Sequence, residues 1–118
     1  MISRVWSGRT AAGNADAYER FLREEVFPGI EGRVGGFRGS YVLRRPLGDV
    51  VEFVVITVFD SMAAIRQFAG VDYELAVIEP EAQKLLEQAD ERARHFETTA
   101  FGERSATPSS GGRPRNGR

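Results

Sequence analysis

His95 is the only histidine of the chain and its clearest candidate for proton-transfer chemistry. Imidazole is the side chain whose ordinary pKa lies nearest neutrality, so a histidine facing a cavity can take a proton from a bound phenol. The resulting anion is electron-rich and reactive towards oxygen. We therefore predict His95 as a catalytic residue. The alternative, which the sequence leaves open, is that His95 packs on the last strand and hydrogen-bonds locally.

Four aromatic residues are candidates for binding a flat, apolar substrate. Trp6, Phe68 and Tyr73 have the size to form a wall against a planar ligand, although the same residues serve equally well in an ordinary core. We expect Tyr41 on the helix-covered face of its strand, where its hydroxyl group needs a partner or a substrate. Arg38 shares that strand and is either a solvated or an interface residue.

Several other kinds of site are disfavoured. The absence of cysteine excludes disulfides, thiolate metal sites and cysteine nucleophiles. The carboxylate pairs Glu24/Glu25 and Glu79/Glu81 have no histidine or aspartate at metal-ligand spacing. The glycine-rich stretch at 29–39 has neither the Gly-Lys-Ser/Thr ending of a phosphate loop nor the dinucleotide-binding spacing. We therefore predict no metal and no cofactor.

The hydrophobic pattern of the first half predicts a strand, a helix and a hairpin. Residues 2–9 read as the first strand, and Asn14 is a candidate cap for a helix that ends at Pro28 and Gly29. Residues 37–45 form the second strand, and the turn-forming run 46–49 leads back into a strand at 50–59.

The second half predicts two helices, a short helical piece between them and a closing strand. Asp60 or Ser61 caps a helix that Gly70 ends, and residues 72–78 are expected to form a short helical piece. Pro80 suits the first turn of a further helix, which carries a stripe of apolar residues (Ala82, Leu85, Leu86 and Ala89). A last strand is expected at 92–101.

This order, β-α-β-β-α-β, is the α+β ferredoxin-like plan, an antiparallel sheet with helices on one face. In the strand at 50–59 apolar residues occupy both parities, which indicates that both faces of the sheet are covered. The chain's own helices cover only one face. We therefore predict that the sheet faces of two copies pack together in a homodimer, and that the other partner is a small apolar or aromatic ligand.

Composition places the chain among soluble single-domain proteins. It has 118 residues, of which 42% are hydrophobic and 28% charged, with a formal net charge of −1. We predict one domain at 1–101 and a disordered Ser/Gly/Pro/Arg-rich tail at 102–118. No apolar run has the length of a membrane span and no signal peptide is evident, so we expect no membrane association and a cytoplasmic location.

Several segments resemble the antibiotic-biosynthesis-monooxygenase superfamily of dimeric α+β barrels. The resemblance covers roughly residues 1–100 and is carried by Phe59-Asp60-Ser61, by the run from Ala64 to Gly70, by Asp72 with the run from Ala76 to Ala82, and by Arg94-His95-Phe96-Glu97. Trp6 to Thr10 and Tyr41 to Arg45 are also similar. It implies the ferredoxin-like fold and the dimer.

For activity, the resemblance implies several possibilities. Members include oxygenases that convert phenolic polyketides to quinones without a cofactor, haem-degrading oxygenases and isomerases. The positions that match the Asn, Trp and His of haem-degrading relatives are Trp6, Phe68 and Ile78, which argues against haem degradation. Quinone-forming relatives use Trp, Asn, Tyr and Arg side chains, with only loose analogues here in Trp6 and Tyr73.

Two function classes follow. The first is a cofactor-independent monooxygenase-like protein acting on a small aromatic or polyketide-like substrate. The second is a non-catalytic small-ligand-binding or stress-associated dimer of the same fold. RNA-binding domains with this strand order carry exposed aromatic residues and basic neighbours, whereas Glu52 is the only charge on the third strand, so we expect no nucleic-acid partner.

Overall fold

An antiparallel sheet of five strands organises the structure, a computed structural model that describes residues 1–102. The predicted tail at 102–118 lies outside the described residues except for Gly102. The strands run in the order β2-β3-β1, and two short strands, β4 and β5, both pair with the remaining edge of β1. Their bounds are β1 Ile2–Ala11, β2 Phe37–Leu47, β3 Val50–Phe59, β4 Leu86–Ala89 and β5 Arg94–Glu97.

The helices lie on one face of this sheet, as expected for a ferredoxin-like α+β fold. One group of buried residues joins α1 (Ala15–Phe21) and α4 (Pro80–Leu85) to the first half of β3. A second group joins α2 (Phe27–Arg33) and α3 (Met62–Ala69) to its end. The partly buried Val26 and Phe27 pack against both groups, so the two halves of the core meet there.

The first helical region is longer than predicted. We expected Pro28 and Gly29 to end it, but a π-helical turn (Leu22–Val26) follows α1 and α2 continues to Arg33. Pro28 is the second residue of α2, directly after the π-helical turn, and it does not end the helical run. Asn14 does not cap α1 with its side chain, because a short 3₁₀ turn leads directly into the helix.

The segment after α3 also differs from the prediction. Residues 72–78 are not helical, and Leu75 forms an isolated bridge with Arg92. Two further backbone hydrogen bonds join the same stretches, from Ala76 N–H to the Glu91 carbonyl and from Ala93 N–H to the Glu74 carbonyl. These backbone groups are paired across space, so a local helix is not needed to satisfy them.

The closing strand is divided. Leu86 and Ala89, expected on a helical stripe, belong to β4, and the strand expected at 92–101 is regular only in β5. Both pieces run antiparallel to β1, separated by a break at 90–93. The free backbone groups at the β1 edge therefore outweigh the helical propensity of residues 86–89.

Several predicted signals are confirmed. The Ser61 side chain accepts a hydrogen bond from the Ala64 N–H at 3.2 Å and so caps α3. Gly70 ends α3 with a φ of 94°, and Gly48, with a φ of 64°, lies in the turn that joins β2 to β3. β3 spans the predicted residues without change.

The two faces of the sheet differ in exposure. Odd-numbered residues of β3 are buried beneath the helices, whereas even-numbered residues are half-buried on the other, open face. Tyr41 pairs with Ile56 and therefore lies on the open face, where it is 47% exposed. Its predicted place under the helices is wrong, because the bulge at the start of β2 sets the parity of the strand.

No helix among residues 1–102 is long and apolar enough to span a bilayer.

Candidate functional site

A cavity of about 60 Å³ lies between the sheet and the helices where the two halves of the core meet. Strands, helices and the segment that joins α3 to α4 all contribute to its wall. The main contributors are Arg4 and Trp6 of β1, Tyr18 of α1, Val55 and Thr57 of β3, Phe68 of α3, Ala82 of α4, and Val77, Ile78 and Glu79 of the joining segment. We refer to this space as the sheet–helix cavity.

Arg4 is the charged group at the centre of this site. It lies on the helix-covered face of β1, opposite Thr57, and is only 4% exposed. Its guanidinium group lies over the Phe68 ring, 5.3 Å from the ring centroid. Burial lowers the pKa of Arg4 to about 10, so it remains charged at neutral pH.

The hydrogen bonds of Arg4 fix both the guanidinium group and the loop above it. Nη1 donates to the Tyr73 carbonyl and, at 3.0 Å, to Nε2 of His95, while Nη2 donates to the Leu75 carbonyl at 2.8 Å. All three acceptors are neutral. Arg4 therefore ties the segment between α3 and α4 to the sheet without an anionic partner among the described residues.

His95 lies beside Arg4 on the same face of the sheet, because β5 pairs His95 with Arg4. Since a guanidinium group can only donate, Nε2 must be the acceptor, which places the ring proton on Nδ1. Burial, followed by the positive charge of Arg4, lowers the pKa of His95, and Glu74 opposes the shift. His95 is therefore a neutral imidazole whose Nε2 lone pair is engaged by Arg4.

Tyr73 contacts His95 rather than the cavity. The two rings meet edge to face, with centroids 5.2 Å apart, and Tyr73 does not belong to the cavity wall. Trp6 and Phe68 therefore lie together in the cavity wall. Tyr73 and His95 contact each other outside that wall, next to Arg4. Tyr41 lies on the opposite face of the sheet, in a surface depression that it lines together with Met1 and Phe101.

The indole of Trp6 is held in place by two features. Its Nε1–H donates to the Asp90 carbonyl at 2.8 Å, in the break between β4 and β5. Its six-membered ring lies over Gly8, so closely that a Cβ atom at Gly8 would be 2.5 Å from Cη2 of the indole. Gly8 therefore provides the space that lets the indole line the cavity.

Tyr18 is the second polar group that faces this region from the helices. It is 2% exposed and packs edge to face on Phe53 with ring centroids 4.9 Å apart. Burial raises the pKa of Tyr18, and the negative charge of Glu79 raises it further. The phenol is therefore fully protonated at neutral pH.

Sequence reasoning missed Arg4 and Tyr18. The signal for Arg4 was present, because Ile2, Arg4 and Trp6 share the parity that points to the helices, and a charged residue on that face requires an explanation. Tyr18 falls on the apolar stripe of the first helix, a pattern that gives no sign of a functional role. Arg38, which was left as a solvated or interface residue, pairs with Asp60 at the surface.

The size and composition of the site limit what it can hold. A volume of 60 Å³ corresponds to about two water molecules, whereas pockets for drug-sized ligands reach about 300 Å³ or more. A ring system therefore requires the wall to move. Within residues 1–102 no group of three or more His, Cys, Asp or Glu side chains is arranged to hold a metal ion.

Comparisons with known proteins support the fold. No protein-family model matches the chain, and no curated protein matches it. Solved structures do match. A protein of Bacillus cereus provisionally named an antibiotic biosynthesis monooxygenase superposes with a TM-score of 0.56 at 15% identity, over 87% of this chain and 97% of that one.

Two further structures have the same architecture. A NIPSNAP domain protein of Burkholderia xenovorans matches with a TM-score of 0.53 at 16% identity, over 88% of this chain and 100% of that one. A protein of Agrobacterium tumefaciens matches with a TM-score of 0.53 at 19% identity, over 82% and 92%. The chain therefore has the ferredoxin-like fold found in a protein named for the antibiotic biosynthesis monooxygenases, which confirms the predicted resemblance at the level of fold.

Proposed function

We propose that this protein is a cofactor-independent, monooxygenase-like enzyme that binds a small aromatic or polyketide-like substrate in the sheet–helix cavity. The observation that carries the proposal is the buried, charged guanidinium of Arg4 beside the aromatic rings of Trp6 and Phe68. A cation in a low-dielectric site favours the ionised form of a phenol or enol. Such an anion is the species that can pass an electron to molecular oxygen.

The overall reaction balances for a substrate of the anthrone type. One oxygen atom replaces the two hydrogens of the reactive CH₂ group to give a carbonyl, and the other oxygen leaves with those hydrogens as water. Oxygen is the oxidant and the substrate carbon is oxidised. In this scheme the chain stabilises the anion through Arg4 and excludes water with the apolar wall.

His95 has two roles in this scheme, one while it is hydrogen-bonded to Arg4 and one after Arg4 has turned to the substrate. While Nε2 accepts from Arg4, His95 acts as a positioning residue that orients the guanidinium group. It becomes available as a base only when Arg4 turns from His95 to the substrate. We retain His95 as the proposed proton acceptor of that second state.

The second candidate function is binding without catalysis. The small volume of the cavity and the engagement of Nε2 by Arg4 both favour it, since this site offers neither the space for a ring nor a free imidazole lone pair while Arg4 and His95 are hydrogen-bonded. The cavity would then hold a ligand that the chain does not transform.

Oxygen consumption by purified protein with a panel of anthrones and hydroquinones separates these candidates. We expect uptake above the spontaneous rate, a decrease of about tenfold or more in Trp6→Leu and His95→Ala, and the wild-type rate in Tyr41→Phe on the opposite face. Uptake at the spontaneous rate across the panel would leave the binding function as the better proposal.

We also propose that two copies associate through their open sheet faces. Leu43, Phe96 and Tyr41 are each about half exposed there, at 50%, 49% and 47%. Leu43 and Tyr41 pair with half-buried Val54 and Ile56 of β3, whereas Phe96 lies across the sheet and pairs with Ser3 of β1. Exposed apolar side chains on a sheet face are favoured to be covered by an equivalent surface.

A further inference from the structure

Arg4 differs from the arginines that form ion pairs with carboxylates at the surface. Arg38, Arg44, Arg45 and Arg92 each form an ion pair with an aspartate or glutamate at the surface. Arg4 is far more buried than any of these four and has no such pair within residues 1–102. A buried charge without a counter-ion is costly, and it persists where it has a use.

The only carboxylate in the cavity wall does not provide that counter-ion. Glu79 lines the cavity but forms no ion pair with Arg4 among residues 1–102. Burial alone accounts for the lowered pKa of Arg4, with no carboxylate opposing it. The positive charge is therefore available to a ligand.

The hydrogen bonds of Arg4 leave one edge of the guanidinium group unused. Nη1 donates two hydrogen bonds and Nη2 donates one. Of the five N–H groups of an arginine, the Nε–H and one Nη2–H thus have no acceptor among the residues described. In a guanidinium group the Nε–H and one Nη2–H point in parallel along a shared edge, which is the arrangement that a planar carboxylate binds with both oxygens.

We infer that the sheet–helix cavity recognises a carboxylate on its ligand through the free Nε/Nη2 edge of Arg4, so that the substrate class is a small aromatic carboxylic acid. The inference rests on the proposed use of this cavity as the substrate site. The opposite edge of the guanidinium group continues to hold the Tyr73 and Leu75 carbonyls. Arg4 thereby connects the ligand to the segment that covers it.

The remaining wall fits a flat ring attached to that carboxylate. The Phe68 ring already lies against the guanidinium group, and Trp6 is fixed over Gly8 nearby. At about 60 Å³ the cavity as it stands is too small for the ring. Val77, 39% exposed at the surface end of the wall, belongs to an irregular segment and is the part that can move aside.

Titrations that follow the fluorescence of Trp6, the only tryptophan, test this inference without any need for catalysis. Benzoate, benzamide and phenol are nearly equal in size and differ in charge and hydrogen-bonding pattern. We expect benzoate to bind the wild-type chain at least about tenfold more tightly than benzamide or phenol. Arg4→Met is expected to remove this preference and Arg4→Lys to reduce it, because lysine keeps the charge but not the planar fork.

The matched control is Arg66→Met, which removes a neighbouring arginine that stacks on Tyr73 and does not line the cavity. It should retain the preference for benzoate. Equal affinities for benzoate and benzamide in the wild-type chain, or a preference that survives in Arg4→Met, would overturn the inference. If neither Arg4 variant folds, the side-chain Nε–H resonance of wild-type Arg4 decides, since it should shift on addition of benzoate and not of benzamide.

The two proposals fail separately. Preferential binding of benzoate with no oxygen uptake from any substrate would contradict the oxygenase and support the carboxylate site. Oxygen uptake from neutral anthrones with no preference for benzoate would do the reverse.

Discussion

Nη1 of Arg4 lies 3.0 Å from Nε2 of His95, so the only histidine of the chain is engaged by the most deeply buried arginine among residues 1–102. The contact links β1 to β5 across the sheet, and the same guanidinium group extends it to the Tyr73 carbonyl in the segment above. Protonation of His95 would replace this hydrogen bond with repulsion between two cations. The pair therefore makes the site sensitive to pH.

Replacing His95 with glutamine should flatten the dependence of stability on pH. The pKa of His95 is lowered from its ordinary value of 6.5 in the folded chain, so below that value the unfolded chain binds the proton first. The stability that neutral His95 contributes is complete above pH 6.5 and is lost as the pH falls through the lower folded-state pKa. Glutamine keeps an acceptor for Arg4 and does not titrate.

Thermal melts monitored by circular dichroism between about pH 7 and pH 5 check this prediction. The melting temperature of the wild type should fall more steeply than that of His95→Gln over this range. Parallel curves for the two proteins would show that His95 does not titrate against Arg4 as described.

Gly8→Ala should displace the indole of Trp6. The added Cβ would be 2.5 Å from Cη2 of the indole and 3.1 Å from the Gln88 carbonyl oxygen, so the ring has to move. We expect a loss of about 1–3 kcal/mol in the free energy of unfolding, as for other overpacked sites. A change in the emission maximum of Trp6 should accompany it.

Gly32→Ala is the matched control for this substitution. Gly32 lies in α2, and a Cβ there meets no atom within 4 Å. Alanine is the better helix former, so this variant should gain up to about 1 kcal/mol and keep the wild-type emission. A stable Gly8→Ala protein with unchanged emission would contradict the proposed packing of Trp6.

Leu43→Glu should weaken the proposed dimer. Leu43 is 50% exposed on the open sheet face, and an unpaired carboxylate buried between two copies would cost about 3 kcal/mol or more, over a hundredfold in the dimer dissociation constant. Sedimentation velocity measures the change. Val71→Glu, at a residue 96% exposed outside that face, should leave the association unchanged.

Two outcomes of this sedimentation experiment would contradict the proposed dimer. If the wild-type chain sediments as a monomer at all accessible concentrations, or if both variants behave alike, the open face is not a contact between copies.

Much of the fold could be predicted because its signals are local. β3 is an almost unbroken run of β-branched and aromatic residues, and Ser61 and Gly70 mark the ends of α3 in the usual way. These features depend on a few neighbouring residues.

The second half of the chain was harder to predict because its backbone pairs with groups that are distant in the sequence. Residues 86–89 continue a helical pattern in sequence, yet they complete the edge of β1. Residues 72–78 lose their helix to backbone partners at 91–93 and to the side chain of Arg4. The members of these pairs are too far apart in the sequence for a local pattern to reveal them.

The candidate site shows the same division between features that local sequence patterns predict and features that depend on distant contacts. Trp6 and Phe68, chosen for their size and shape, do line one cavity, whereas Tyr41 was placed on the wrong face because the bulge in β2 has no clear sequence signal. Arg4 could have been found from its parity on β1. That it would have no carboxylate partner among residues 1–102 could not, because an ion pair depends on the packing of separate elements.

The central claim is that the sheet–helix cavity, and not the open face, is where this protein binds a small aromatic molecule. An amide chemical-shift titration with salicylate, which combines a phenol and a carboxylate on one ring, tests it most directly. We predict that the largest shifts fall on residues around the cavity, such as Val55, Ile78 and Ala82. Shifts confined to Tyr41, Val54 and Ile56 on the open face, or no shifts at all, would contradict it.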